Sequence, residues 1–209
     1  MPEEHSLPFE VRAATYALLA RLFLAPPDAD LLSALSSPDF LAEWPLYRGD
    51  AQVEEGLRLL AEALPNAGLG DLATEYRDLF FGPGPVLAPP WESVYLDREH
   101  LVFGEETLQV RQLFRRFGLE SRTLHAEPDD HIGLMVQFMA QLSARCVEAA
   151  GVELLEGQRE CLEHLLKWVP DFAERVRTHA RSPFYPGAAL IALGTFRQDL
   201  EQVQRWLKA

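Results

Sequence analysis

From residue 8 to residue 207 the apolar side chains of this sequence return every three or four positions, and no stretch sustains the alternation that a half-buried strand needs. That spacing gathers them on one side of an α-helix and leaves a sheet without a face to bury. Residues 8–24 place Val11, Tyr16, Leu18, Leu19, Leu22 and Phe23 on one side, and Pro26-Pro27 stops the run. Asp28 or Asp30 is suited to cap a short helix through Leu31, Leu32 and Leu35. Further helices are expected over 51–64, 70–81 and 105–117, the last stopped by Gly118. The second half predicts a helix from Pro128 to about Ala150, one over 154–169 interrupted by Pro170, a short one over 171–180 and a last one over 184–207. The chain therefore reads as all-α: a single domain, 1–209, forming a helical bundle of roughly nine or ten helices, with a hinge permitted near 118–127 that would divide it into two lobes.

With 209 residues, 48% of them hydrophobic, such a chain can bury a substantial core. Its net charge of −13 sits mostly in the first half: residues 1–100 carry 17 acidic and 6 basic side chains, residues 101–209 carry 15 and 13. Nucleic acid needs a basic footprint, and there is none. An acidic surface steers cationic partners instead, though it also serves plain solubility. The apolar runs are too short to span a bilayer, and the start Met1-Pro2-Glu3-Glu4-His5 lacks the basic and apolar parts of a secretory signal. Cytoplasmic residence without stable membrane insertion is expected. Cys146 and Cys161, both in expected helices, read as buried reduced thiols. No phosphate-cradling glycine loop occurs, and no cofactor is expected.

Two segments interrupt the helical pattern in ways that bear on function. Gly82 to Pro90 holds four prolines in nine residues, so it must run extended over the surface, and it leads into the aromatic run Trp91-Glu92-Ser93-Val94-Tyr95. Further on, Glu127-Pro128-Asp129-Asp130-His131 sets carboxylates and an imidazole at the mouth of an apolar helix. Proline at a first helical position and acids in the first turn make a good helix start, which is one account of this segment. The other is recognition. An imidazole that titrates near neutral pH beside carboxylates can hold an extended partner by charge-assisted hydrogen bonds. By the same ambiguity, Tyr76, Leu79 and Phe80 form either core or groove, Trp91 either a plug or a contact, and Glu92 with Ser93 either a helix cap or a contact. Asp129 reads as a solvated first-turn residue.

Tyr76-Arg77-Asp78-Leu79-Phe80 has the form aromatic-x-x-Leu-Phe, and Glu127 to His131 has the form Glu-Pro-x-Asp-His. In this order, with Phe81-Gly82-Pro83 and the run Pro89 to Tyr95 between them, the chain resembles the TorD/DmsD/NarJ family of redox-enzyme maturation chaperones, and within it the TorD/DmsD branch. The likeness is sharpest over residues 76–139. It implies a cytoplasmic chaperone, not an enzyme. The partner it implies is the precursor of a molybdenum-cofactor oxidoreductase subunit, held by its twin-arginine signal peptide until the cofactor is inserted. Relatives of this kind are monomers or domain-swapped dimers. A twin-arginine leader is cationic and then apolar, so its receptor needs carboxylates beside an apolar groove. The resemblance thus assigns Glu127 and Asp130 to the cationic part and His131 to orienting it, with Pro128 stiffening the segment. Leu79, Phe80, Pro90 and Trp91 become the apolar wall, with Glu92 beside them and Tyr76 and Tyr95 at its edges. Trp91 and His131 must then share one cleft, and Asp130→Ala or His131→Ala should weaken peptide binding while leaving stability nearly intact. The alternatives are a helical adaptor without a leader-binding role, a hydrolase using Glu127, Asp130 and His131, or a metal site on these residues with His125; the spacing fits no standard metal motif.

Overall fold

The structure is a computed structural model that describes residues 8–82, 84–97, 102–120 and 127–209. Ten α-helices occur among these residues: α1 (Phe9–Leu24), α2 (Ala29–Leu35), α3 (Pro38–Ala42), α4 (Ala51–Ala63), α5 (Leu69–Tyr76), α6 (Glu92–Leu96), α7 (Glu105–Arg116), α8 (Ile132–Glu148), α9 (Val152–His179) and α10 (Phe184–Lys208). A 3-10 turn (Leu64–Asn66) follows α4, and a π-helical segment (Arg77–Phe81) continues α5. Among the described residues the extended pairing is a single antiparallel bridge between Trp91 and His131. The expected hinge near 118–127 falls, at residues 121–126, outside the described residues, as does His125.

Local sequence sets most helix ends. Asp28 caps α2 by accepting the Leu31 N–H, and Asp50 caps α4 by accepting from Gln52 and Val53. Two boundaries differ from the periodicity. Pro170 does not end a helix; α9 runs through it. A proline inside a helix costs about 3 kcal/mol, but Trp168, Val169, Phe172, Ala173 and Val176 on both sides of it are buried. At roughly 1.5–3 kcal/mol for each large side chain, that burial outweighs the lost hydrogen bond. The helix expected from Pro128 begins instead at Ile132, because Asp130 and His131 are drawn into contacts with the Trp91 segment.

α1 packs along α8, while α10 packs against both α4 and α9. The α4–α10 crossing brings backbones into contact: a Cβ on Gly56 would lie 2.6 Å from the Gly187 carbonyl oxygen, and one on Gly187 would lie 2.8 Å from that of Gly56. Only glycine fits at either position. An aromatic cluster joins the layers, with Phe80 5.2 Å from Tyr76, 5.3 Å from Tyr185 and 5.8 Å from Phe172, ring centre to ring centre. A buried ion pair ties α1 to α10. Arg12 and Asp199 are both fully buried, the Tyr16 hydroxyl donates to Asp199 at 2.7 Å, Tyr47 donates to it as well, and the Trp206 ring covers the guanidinium at 4.8 Å. Removing such a pair from water is costly, and the two tyrosines offset part of that cost by satisfying the carboxylate, while Arg12 Nη1 is buried without a hydrogen-bond partner among the described residues. These contacts hold the end of α1 and the π-helical segment against the face of α8, and the cleft described next lies there.

Candidate functional site

The chain reverses after Phe81 and is tied down at once. The Ala88 N–H donates to the Leu79 carbonyl at 2.8 Å, which lays the proline-rich segment back on the π-helical one. Trp91 then pairs with His131. The Pro90 carbonyl accepts the Ile132 N–H at 2.8 Å, and the Asp130 carbonyl accepts the Glu92 N–H at 3.2 Å. The bridge thus gives the Glu92 and Ile132 N–H groups, both at the first position of a helix, partners that the helix itself does not supply.

The acidic residues separate at this point. The Asp130 carboxylate is fully buried, accepting the Ser93 N–H at 2.8 Å and the Thr107 hydroxyl at 2.7 Å. It therefore caps α6 from another part of the chain and fastens α7. Asp129 is not solvated but buried, with Arg111 at 2.7 Å. Only Glu127 of the three stays half-buried, and its Oε1 accepts the Trp91 indole N–H at 2.6 Å. Burial raises the Glu127 carboxyl above its usual range; the Trp91 hydrogen bond opposes this and the nearby Asp130 charge adds to it.

His131 is not the neutral-pH switch its sequence neighbours imply. It is the N-cap of α8, with Nδ1 accepting the Gly133 N–H at 3.0 Å, so in the neutral ring the proton sits on Nε2. Its ring meets that of Trp91 edge-on at 6.0 Å. Burial pushes its pKa down to about 3. A histidine with a folded pKa below its unfolded value contributes stability that is present above about pH 6.5 and lost as pH falls. Its contribution should drop by about 1.4 kcal/mol between about pH 7.5 and about pH 5.5. Glu92 and Glu127, both raised by burial, act in the opposite sense, since their contribution is lost as pH rises. His131→Asn, which preserves the cap, should remove the histidine part. Urea unfolding of both proteins at the two pH values reads it as a difference in slope; identical slopes would mean that the imidazole is not held neutral.

Tyr76, Phe80, Trp91, Glu127 and His131 line one cleft of about 960 Å³ between the end of α1, the π-helical segment, the end of α7 and the exposed side of α8. The Tyr76 hydroxyl anchors one wall by donating to the Phe23 carbonyl at 2.9 Å. The other sequence-assigned residues do not line it. Leu79, Pro90, Pro128 and Asp130 are buried outside it. Glu92 is fully buried with its carboxylate 2.8 Å from His164 Nδ1 on α9, and Tyr95 packs on Trp168 at 5.2 Å. Against the assigned contacts, the cleft leaves out these six side chains, and the Asp130 and Glu92 carboxylates are already engaged within the protein.

The cleft has members that the sequence assignment left out, chiefly Leu24, Phe81, Leu134 and Phe138, with Arg77 and Glu120 as charges at its walls. Leu134, Gln137, Phe138 and Gln141 form one stripe of α8, and that mixed apolar and amide spacing was the available signal. Among the described residues, no group of three or more His, Cys, Asp or Glu side chains is placed to hold a metal ion.

The profile of the family described as nitrate reductase delta subunit matches residues 48–174. The chain is 34% identical over 190 residues to the Tat proofreading chaperone DmsD of Salmonella typhi, covering 89% of this chain and 87% of that one. It is 32% identical over 211 residues to the chaperone protein TorD of Vibrio cholerae serotype O1, covering 95% and 94%. A crystal structure of an Archaeoglobus fulgidus protein assigned to redox enzyme maturation superposes with a TM-score of 0.51 at 21% identity, over 96% of this chain and 98% of the other. At that identity the match bears on the fold.

Proposed function

We propose, on the premise that this chain belongs to the nitrate reductase delta subunit family together with the DmsD and TorD chaperones, that it is a maturation chaperone for a molybdenum-cofactor oxidoreductase. It binds the twin-arginine leader of the enzyme's precursor and holds back export until the cofactor is in place. The convergence of Trp91, Glu127 and His131 on one largely apolar cleft carries this reading. A leader's guanidinium finds its carboxylate in Glu127, the one acid of the motif left half-exposed. The neutral His131 ring contributes a hydrogen-bond donor from Nε2 rather than a charge. Trp91, with Leu24 and Leu134 on the facing walls, supplies the apolar contact.

This role places the chain in the cytoplasm, where precursors are made. Among the described residues no helix is long and apolar enough to cross a membrane. It works as one domain over 1–209, monomeric or exchanged between copies through a hinge near 118–127, which sedimentation at two concentrations separates.

Titration calorimetry with a synthetic leader tests the reading directly: binding should occur and should weaken when both arginines are replaced by glutamine. Glu127→Gln should cost about 1 kcal/mol of that binding, because a half-exposed ion pair is partly screened by solvent. It should also flatten the loss of affinity with rising salt. Equal affinity of the two leaders for the wild-type protein would remove arginine recognition from this site.

A further inference from the structure

The segment that carries Leu79 and Phe80 has one aromatic member that packing leaves unused. Leu79 and Phe80 are 1% and 2% exposed and belong to the core, whereas the adjacent Phe81 is 70% exposed. That is the greatest exposure of any large apolar side chain among the described residues. Scattered apolar side chains on a surface are ordinary. Phe81, however, lines the same cleft as Leu24, Phe80 and Leu134. Its backbone is also fastened rather than loose. The π-helical segment closes with the Gly82 N–H donating to the Arg77 carbonyl at 2.6 Å, and the returning chain is bonded to Leu79 through Ala88. Such π-helical turns are rare and recur at functional sites. The phenyl ring is thus presented to the cleft at little cost in ordering.

Charge decides which part of a cationic-then-apolar peptide meets this ring. Arg77, on the same wall as Phe81, repels a guanidinium, while Glu127 and Glu120 line the cleft from the α7–α8 side and attract one. A leader seated with its arginines at Glu127 therefore lays its apolar stretch along Phe81. We infer that Phe81 is the specificity-determining contact for the apolar stretch of the leader, a role that rests on the chaperone reading above and adds to it.

Three synthetic leaders with the same basic residues and an apolar stretch made of leucine, alanine or serine test this by titration calorimetry on the full chain. The wild-type protein should bind them in that order. Phe81→Ala should weaken the leucine leader about tenfold, as truncation of a central aromatic contact does. It should compress the differences among the three leaders and leave the unfolding temperature unchanged. Phe81→Leu, which retains apolar bulk, should restore most of the preference. If Phe81→Ala keeps the wild-type ranking and spacing, or if the wild-type protein itself does not distinguish the three, the inference falls and leader binding stands. A wild-type protein that binds none of them overturns both.

Discussion

Asp130→Ala is expected to lower the free energy of unfolding by about 3 kcal/mol, through the loss of two charge-assisted hydrogen bonds in a fully buried setting. The carboxylate accepts the Ser93 N–H at 2.8 Å and the Thr107 hydroxyl at 2.7 Å, and alanine leaves both donors buried without a partner. The first is an N-terminal donor of α6, a helix of five residues that has little stability of its own. Its position, and with it that of Trp91, therefore depends on Asp130. Part of the loss is offset because Asp130 repels the nearby Glu92 and Glu127 carboxylates, and its removal relieves them. Asp130→Asn retains one acceptor and should fall between the two. Urea unfolding followed by far-UV circular dichroism measures the difference. A variant that unfolds like the wild type yet binds leader weakly would return Asp130 to the role of direct contact, which its place in the sequence first implied.

Trp91→Ala is expected to cost about 2 kcal/mol or more of leader affinity, the scale of a central aromatic anchor at an interface. Two losses combine. The indole removes apolar area from the cleft wall, and its N–H no longer orients Glu127 from 2.6 Å. Trp91→Phe separates them by keeping a ring without the donor; it should recover most of the affinity if area dominates and little if the Glu127 geometry does. Because Trp91 is only partly buried, the unfolding midpoint should move far less than for Asp130→Ala. Leader affinity unchanged in Trp91→Ala would remove this residue from the recognition surface.

The two variants affect neighbouring residues of one motif pair in different ways, and only the folded chain separates them. In sequence, Asp129, Asp130 and Glu127 are three similar acids beside a histidine. In the structure one is held by Arg111, one caps α6, and one faces the cleft. The same holds for Phe80 and Phe81, adjacent phenylalanines of which one is core and the other 70% exposed. The π-helical turn that holds them has no signature in hydrophobic spacing. Glu92 gave no sign of its partner either, since His164 stands 72 residues away.

The periodicity of the sequence was sufficient for the fold class and for most of the helices, since helix formation and capping depend on residues within a few positions of one another. Its proline-rich break and its Glu-Pro-x-Asp-His segment also marked the two stretches that come together around Trp91 and His131. What tertiary structure alone decided is the direction and availability of each side chain there. A carboxylate goes to whichever unsatisfied donor is brought near it, and for Asp130 that donor belongs to a residue 37 positions earlier in the chain. For the same reason Pro170 could not end α9: the burial on either side of it, assembled by α8 and α10, exceeds the local cost of the proline.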